Sequence, residues 1–227
     1  MNKNVQGHIF ALTANILWGL MAPIGKSALM EFSALSVTTF RMVGAAACFW
    51  LLSAFCKYEH VDHRDMLKIF FASLFALVFN QGVYIFGLSM TSPIDASIVT
   101  TTLPIVTMII AAIYLKEPIT NLKVLGIFVG AMGALTLILS SQTAGSGNGS
   151  IIGDLLCLVA QISFSIYLTV FKGLSQQYSA VTINKWMFVY ASICYIPFSY
   201  YDISTIQWAS ISVSYTHLRA HETCADL

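Results

Sequence analysis

Long apolar runs separated by short polar turns recur along most of this sequence. A membrane-spanning helix needs about 20 predominantly apolar residues, and several runs reach that length. The pattern therefore predicts an all-α integral membrane fold with about seven transmembrane helices. The predicted spans are residues 9–29, 35–55, 69–88, 94–115, 124–140, 151–171 and 183–201.

One hairpin of this pattern is repeated. Residues 16–44 contain the end of the first run, a tight turn and the start of the second run, and a similar arrangement returns at residues 162–190. Lys26 aligns with Lys172, and Phe-Ser-Ala at 32–34 aligns with Tyr-Ser-Ala at 178–180. A repeated hairpin in a very apolar chain is typical of a transporter built from two halves.

Composition supports the membrane interpretation. Of the 227 residues, 57% are hydrophobic and 9% are charged, with a mean hydropathy of +0.77. A soluble domain carries about a quarter charged residues. The net charge of +1 argues against a nucleic-acid-binding protein, which would show a basic excess. The five cysteines have no paired spacing, so neither a disulfide framework nor a metal site is expected.

The basic residues predict the orientation. With the N-terminus in the cytoplasm, Lys57, Lys116 and Lys172 fall in cytoplasmic segments, and the turns on the opposite side carry no Lys or Arg. This is the bias expected for a cytoplasmic N-terminus. Residues 141–150 (SQTAGSGNGS) have the composition of a flexible linker. They separate five spans from two, so a second repeat would enter the membrane inverted.

Three segments carry a resemblance to a known family. They are LWGLMAPIGKSAL in the first span, TFRMVGAAACFWLL in the second, and residues 92–120, which include Pro104 and end near Glu117. In order and spacing the chain resembles the EamA-like branch of the drug/metabolite transporter superfamily. The resemblance implies a ten-helix exporter of amino acids, other metabolites or drugs, located in the bacterial inner membrane. Such a carrier works by alternating access between two inverted five-helix repeats.

The resemblance also divides the chain. Residues 8–140 correspond to a first five-helix repeat, residues 141–150 to a linker and residues 151–212 to the start of a second repeat. The second repeat stops after two helices, which departs from the family pattern. Residues 213–227 (VSYTHLRAHETCADL) change character and resemble translated adapter sequence, so this tail is expected to be non-native.

Polar residues within the spans are candidates for a substrate-binding site, because such groups are costly in lipid unless they meet a partner or water. Arg41 either snorkels to the outer interface or faces a central cavity, where it would hold a carboxylate. Lys26, nearer a helix end, is expected to snorkel. The other candidates could instead serve helix packing or a simple kink. They are Asn15, Trp18, Asn80, Tyr84, Pro104 and Gln161.

Neither catalysis nor a cofactor is predicted. The apolar core contains no metal-spaced histidine pair, nucleophile motif or phosphate loop. Transport is therefore expected to be secondary, driven by exchange or coupled to protons or another ion. Gly126, Gly130 and Ala134 are spaced by four, which favours close packing within the bundle or in a homodimer.

Two other classes of function stay open. A seven-helix receptor or sensor fits the predicted count, but the cytoplasmic N-terminus and the position of Lys185 at the entrance of the seventh span argue against it. A non-transporting membrane subunit would not need polar residues in the middle of its spans.

Overall fold

A computed structural model describes most of the chain. The described residues are 3–116, 120–122, 124–126, 128–130, 132, 133, 136 and 150–206. The predictions for the linker up to residue 149 and for the tail at 213–227 lie outside them, as do 8 of the 17 residues of the fifth predicted span.

The described part of the chain is helical and contains no strands. The helices with described bounds are α1 (Lys3–Gly19), α2 (Met21–Ala28), α3 (Ala34–Ala54), α4 (His63–Ser73), a π-helical segment (Leu74–Gly82), α5 (Val83–Met90), α6 (Pro93–Thr100), α7 (Leu103–Tyr114), α8 (Ile151–Val170), α9 (Lys172–Gln177) and α10 (Ala180–Ser204).

Five helical stretches in the described ranges are long and apolar enough to cross a membrane. They are Val5–Ala28, Ala34–Ala54, His63–Met90, Pro93–Tyr114 and Ile151–Val170. These stretches correspond to the first four predicted spans and to the sixth. The seventh predicted span is also helical, within the 25-residue α10, but α10 does not belong to this set. The count of seven spans therefore stays a prediction.

Two antiparallel helix pairs form the core of the bundle. In the first pair, α3 packs along α10, with the Ser33 hydroxyl on Asp202 at one end and the Trp50 ring against Trp186 at the other. In the second pair, the π-helical segment and α5 pack along α8. One buried apolar cluster centres on Met42, Ile69, Ala72, Met187 and Ala191, and another on Tyr84, Ile85, Leu88, Cys157 and Ala160.

The helices α3 and α10 begin in the same way. Ser33 and Ser179 both have extended backbone and accept a hydrogen bond from the backbone N–H three residues later, which is the usual role of an N-cap serine. Each serine hydroxyl also donates to a carboxylate in the last turn of the partner helix or in the loop after it. Ser33 donates to Asp202 at 2.6 Å, and Ser179 donates to Glu59 at 2.8 Å.

The π-helical segment is held by side chains from two neighbours. An i→i+5 helix leaves backbone groups out of the regular ladder and is rare outside functional regions. The Ser163 hydroxyl donates to the Phe75 carbonyl at 2.7 Å, and the Tyr195 hydroxyl donates to the Val78 carbonyl at 2.6 Å. Gly82 permits the hydrogen bond from Tyr195 to Val78, because a Cβ at position 82 would collide with the Tyr195 hydroxyl.

Candidate functional site

Six of the seven residues proposed from the sequence line one cavity of about 440 Å³, which we call the central cavity. It lies between α1, α2, the π-helical segment, α5, α6, α7 and α8. The six residues are Asn15, Trp18, Asn80, Tyr84, Pro104 and Gln161. Their convergence brings polar groups from distant parts of the sequence onto one space.

The wall of the central cavity is mostly apolar, with amide and hydroxyl groups set into it, and its described lining residues carry no formal charge. Amides and hydroxyls are interspersed with apolar surface, the usual composition of a small-molecule site. The remaining lining residues are Gly19, Met21, Ala22, Gln81, Ser97, Thr100, Thr101 and Leu103. Such a wall can hydrogen-bond to a polar solute in several orientations.

The π-helical segment positions the two adjacent amides of the wall. Asn80 is 5% exposed, and its Nδ2 donates to the Ala160 carbonyl of α8 at 2.8 Å. Gln81 Nε2 donates to Asn80 Oδ1 at 2.9 Å. The amide at position 80 thus serves both helix packing and the cavity wall, the two roles that the sequence left open.

A break in the fourth span forms another side of the cavity. Helix α6 ends at Thr100, and α7 begins at Leu103 with Pro104 in its first turn. Proline has no N–H and fits the first turn of a helix. The Thr101 and Thr102 hydroxyls donate back to the Ile98 and Val99 carbonyls at 2.7 Å. The junction therefore brings irregular backbone to the cavity without leaving these hydroxyls unpaired.

The side chains from α1 lie at the more open side of the cavity. Trp18 is 45% exposed, and its ring meets Phe164 of α8 edge-on at 6.3 Å between centroids. Asn15 is exposed, and its Nδ2 donates to the Ala11 carbonyl one turn earlier at 2.8 Å. These two residues reach the cavity from a helix that buries little of its own surface.

Arg41 lies outside the central cavity. It lines an adjoining cavity of about 420 Å³ between α1, α2, α3 and α5, and it is the charged member of that lining. The other lining residues are Leu17, Met21, Ile24, Gly25, Ala28, Phe32, Val37, Phe40 and Ile85. The guanidinium is therefore surrounded by apolar side chains on this side.

Gln81 connects Arg41 to the central cavity. Arg41 Nη2 donates to Gln81 Oε1 at 2.7 Å and also approaches the Met21 sulfur at 3.4 Å. Arg41 Nη1 is buried and has no hydrogen-bond partner among the described residues. A buried donor without an acceptor costs about 1–3 kcal/mol, and more when it is charged. One of the two terminal nitrogens of the guanidinium is thus left without an acceptor among these residues.

Lys26 is bound by backbone carbonyls at the end of a neighbouring helix. Its Nζ donates to the Leu88 carbonyl at 2.8 Å, to the Ser89 carbonyl at 3.2 Å and to the Thr91 carbonyl at 2.7 Å. These carbonyls lie at the C-terminal end of α5, where a cation is favoured by the helix dipole. Lys26 therefore joins α2 to α5 as a helix cap.

Sequence reasoning underestimates Gln81. The helical period places this residue on the flank of the face shared by Asn80 and Tyr84, but the structure makes it both a cavity residue and the partner of Arg41. An amide next to a second amide within an apolar run is the signal that could identify it. Within the described residues, no three His, Cys, Asp or Glu side chains cluster as metal ligands would.

Comparison with known proteins identifies the same family that the three sequence segments resemble. Residues 5–139 match the EamA-like transporter family, which confirms the resemblance stated above. An uncharacterized transporter of Archaeoglobus fulgidus is 27% identical over 84% of this chain and 66% of its own length. Two uncharacterized transporters of Bacillus subtilis, YetK and YyaM, are 20% and 23% identical over 92% and 93% of this chain.

The match does not extend over the whole of these relatives. The chain spans 64% of YetK and 70% of YyaM, and therefore about two thirds of the length of the curated relatives it matches. No solved structure matches the chain significantly.

Proposed function

The chain belongs to the EamA-like transporter family, and we propose that it is a secondary carrier for a small polar solute that bears a carboxylate. The observation that carries this proposal is the convergence of six intramembrane residues on the central cavity, with Arg41 one side chain away. We propose that the solute occupies the central cavity and that Arg41 binds its carboxylate.

The size and chemistry of the cavity support this class of solute. A volume of about 440 Å³ lies within the range of about 300–1,000 Å³ that small-molecule pockets occupy. The amides and hydroxyls of the wall would bind the uncharged polar groups of the solute. Because the guanidinium fork matches a carboxylate in a bidentate manner, Arg41 would supply charge selectivity. Amino acids and small organic acids have this combination of groups.

The proposed mechanism is alternating access between two inverted repeats, in the direction of export. The matched N-caps of α3 and α10 support it, since Ser33 and Ser179 occupy equivalent positions of the repeated hairpin. Antiparallel packing of α3 and α10 is the relation expected of equivalent helices in inverted halves. In this scheme the N-terminus lies in the cytoplasm, the membrane is the bacterial inner membrane, and exchange or a proton or counter-ion gradient drives transport.

The sensor alternative has less support. A retinal-type lysine would be needed near the middle of the seventh span, but Lys185 lies in the second turn of α10. Its Nζ is 5.2 Å from the Trp50 ring centroid and 5.9 Å from that of Trp186. Cation–π contacts of this kind stabilise the Lys185 ammonium group within the bundle. No observation favours a homodimer or a non-transporting subunit.

A comparison of exported metabolites tests the proposed function. Cells with and without the intact gene should differ in at least one small carboxylate-bearing compound in the medium. Ser97→Trp, which fills the central cavity, should abolish that difference. Ser89→Trp is the matched control, because both serines are exposed and donate to a carbonyl of their own helix, but Ser89 lies outside the cavity lining. Identical media in all strains would contradict the proposal.

A further inference from the structure

Gln81 occupies the place on Arg41 that an anionic ligand would need. Its Oε1 accepts from Arg41 Nη2 at 2.7 Å, which is the position of one oxygen of a bidentate carboxylate. The second donor, Nη1, is buried and unpaired among the described residues. The fork of Arg41 is therefore half filled by a neutral amide.

We propose that Gln81 is an internal substitute for the carboxylate of the solute and that the solute displaces it. The inference rests on the proposed function, because it assumes that an anionic solute enters the central cavity. Gln81 lines that cavity, so it lies between an incoming solute and the guanidinium. From the central cavity, the solute reaches Arg41 only when the Gln81 side chain moves aside.

The chemistry of the exchange favours a carboxylate over the amide of Gln81. A carboxylate forms two hydrogen bonds to the fork with a charge on both partners, whereas Gln81 forms one in which only the guanidinium is charged. A carboxylate can therefore replace the single amide oxygen and also satisfy Nη1. A neutral solute offers only another amide or hydroxyl oxygen and gains little by displacing Gln81. A neutral analogue can therefore leave the hydrogen bond between Gln81 and Arg41 in place, whereas a carboxylate gains by displacing it.

The exchange also changes how the helices are connected. Arg41 of α3 is joined through Gln81 and Asn80 to the Ala160 carbonyl of α8 by hydrogen bonds of 2.7, 2.9 and 2.8 Å. When the solute takes the place of Gln81, the link between Gln81 and Arg41 is broken, and the solute becomes the connection between α3 and the cavity wall. Occupation of the site therefore alters the contact between α3 and the π-helical segment.

Two substitutions at Gln81, which are expected to change the affinity for an anionic ligand in opposite directions, test this proposal. The purified full chain, reconstituted in nanodiscs, is titrated with 4-nitrobenzoate and with its neutral analogue 4-nitrobenzamide. Quenching of Trp18 fluorescence is the readout, and Trp18→Phe identifies the signal. Gln81→Glu places a permanent carboxylate on Arg41 and should weaken 4-nitrobenzoate binding by at least about tenfold. Gln81→Ala removes the competitor and should strengthen binding of 4-nitrobenzoate, with a smaller gain for 4-nitrobenzamide, whose hydrogen bond to Arg41 carries a charge on only one partner.

Thermal unfolding supplies a second readout that needs no ligand. Gln81→Glu should raise the Tm in the presence of Arg41 and lower it in the Arg41→Met background, where the buried carboxylate has no partner. Gln161→Glu is the matched control, because Gln161 lines the same cavity and is 2% exposed but has no hydrogen bond to Arg41. It should lower the Tm in both backgrounds.

The two readouts separate this inference from the proposed function. If Gln81→Glu lowers the Tm equally with and without Arg41, or if Gln81→Ala weakens 4-nitrobenzoate binding, Gln81 is a packing residue and the inference is overturned. If the Gln81 variants behave as expected but the gene changes no exported metabolite, the anion site stands and the proposed transport function fails.

Discussion

Gly87 and Gly153 bring the backbones of α5 and α8 into direct contact. A Cβ added at Gly87 would lie 2.7 Å from the Gly153 carbonyl oxygen, and one added at Gly153 would lie 2.8 Å from the Gly87 carbonyl oxygen. Small residues permit such close approach between membrane helices. The contact fixes α8 against the stretch that carries Asn80 and Gln81.

We therefore expect Gly87→Ala to destabilise the protein by about 1–3 kcal/mol, the usual cost of overpacking a close contact. The added methyl group meets backbone atoms, which cannot rotate away. Thermal unfolding in detergent would measure the loss. Gly44→Ala is the control, because a Cβ at Gly44 meets nothing within 4 Å and alanine favours the helix by up to about 1 kcal/mol. Equal Tm values for the two variants would contradict the prediction.

Tyr195→Phe is expected to destabilise the π-helical segment by about 1–3 kcal/mol, the cost of leaving a buried acceptor unpaired. The substitution removes the hydroxyl that donates to the Val78 carbonyl at 2.6 Å and leaves the ring in place. Hydrogen exchange of residues 74–82 should accelerate along with a lower Tm. Tyr200→Phe serves as the control, since Tyr200 is 74% exposed. Unchanged exchange in Tyr195→Phe would show that the hydroxyl is not required.

The helices were the part most accessible from sequence. Apolar runs of sufficient length have one stable form in lipid, because every backbone group must be satisfied within the segment. The runs around α3 and α8 therefore predict their helices closely. The π-helical segment is different, since it depends on partners such as Ser163 and Tyr195 that lie far away in sequence.

The candidate site could be predicted only in part. Because Asn80 and Gln161 are polar residues within apolar runs, the sequence predicts that each lies in a cavity wall or in a contact between helices. It does not predict which of these two roles each residue has. The relation between Arg41 and Gln81 depends on how α3 is rotated against the π-helical segment. Helical periodicity shows which residues share one face of a helix, but it does not show how that helix is oriented against its neighbours. The position of Arg41 beside the central cavity therefore could not be derived from the sequence.

Reporter fusions test the proposed orientation. We expect fusions after Gln6 and after Gly147 to report opposite compartments, with the first in the cytoplasm, because the basic residues favour one side and five predicted spans separate the two sites. Phosphatase and fluorescent-protein fusions at both positions would measure this. The same compartment for both would show that the number of spans between them is even.

Arg41→Ala and Arg41→Lys are both expected to abolish transport without preventing membrane insertion. Alanine removes the charge, and lysine keeps it but loses the planar fork that binds a carboxylate in a bidentate manner. The measurement is uptake into vesicles, or efflux from them, of the carboxylate-bearing compound identified by the comparison of exported metabolites, normalised to the amount of inserted protein. Lys57→Met is the control, because Lys57 is an exposed loop residue. Normal transport by Arg41→Lys would show that charge alone is sufficient.

Glu59 should make the packing of α10 on α3 sensitive to acid. Hydrogen bonds from Thr182 and from the backbone and hydroxyl of Ser179 lower the pKa of the Glu59 carboxyl, and the nearby Lys185 charge lowers it further. A carboxyl group whose pKa is lower in the folded than in the unfolded state stabilises the fold fully above its unfolded pKa, about 4.3. That contribution is lost as the pH falls through the lower, folded pKa, because the protonated group no longer accepts these bonds as an anion.

We therefore expect the wild-type Tm to fall more between pH 6 and pH 3 than the Tm of Glu59→Gln, which cannot ionise. Glu31→Gln provides the comparison for a carboxyl in another turn. If wild type and Glu59→Gln lose stability in parallel over this range, the carboxylate at position 59 does not hold the start of α10.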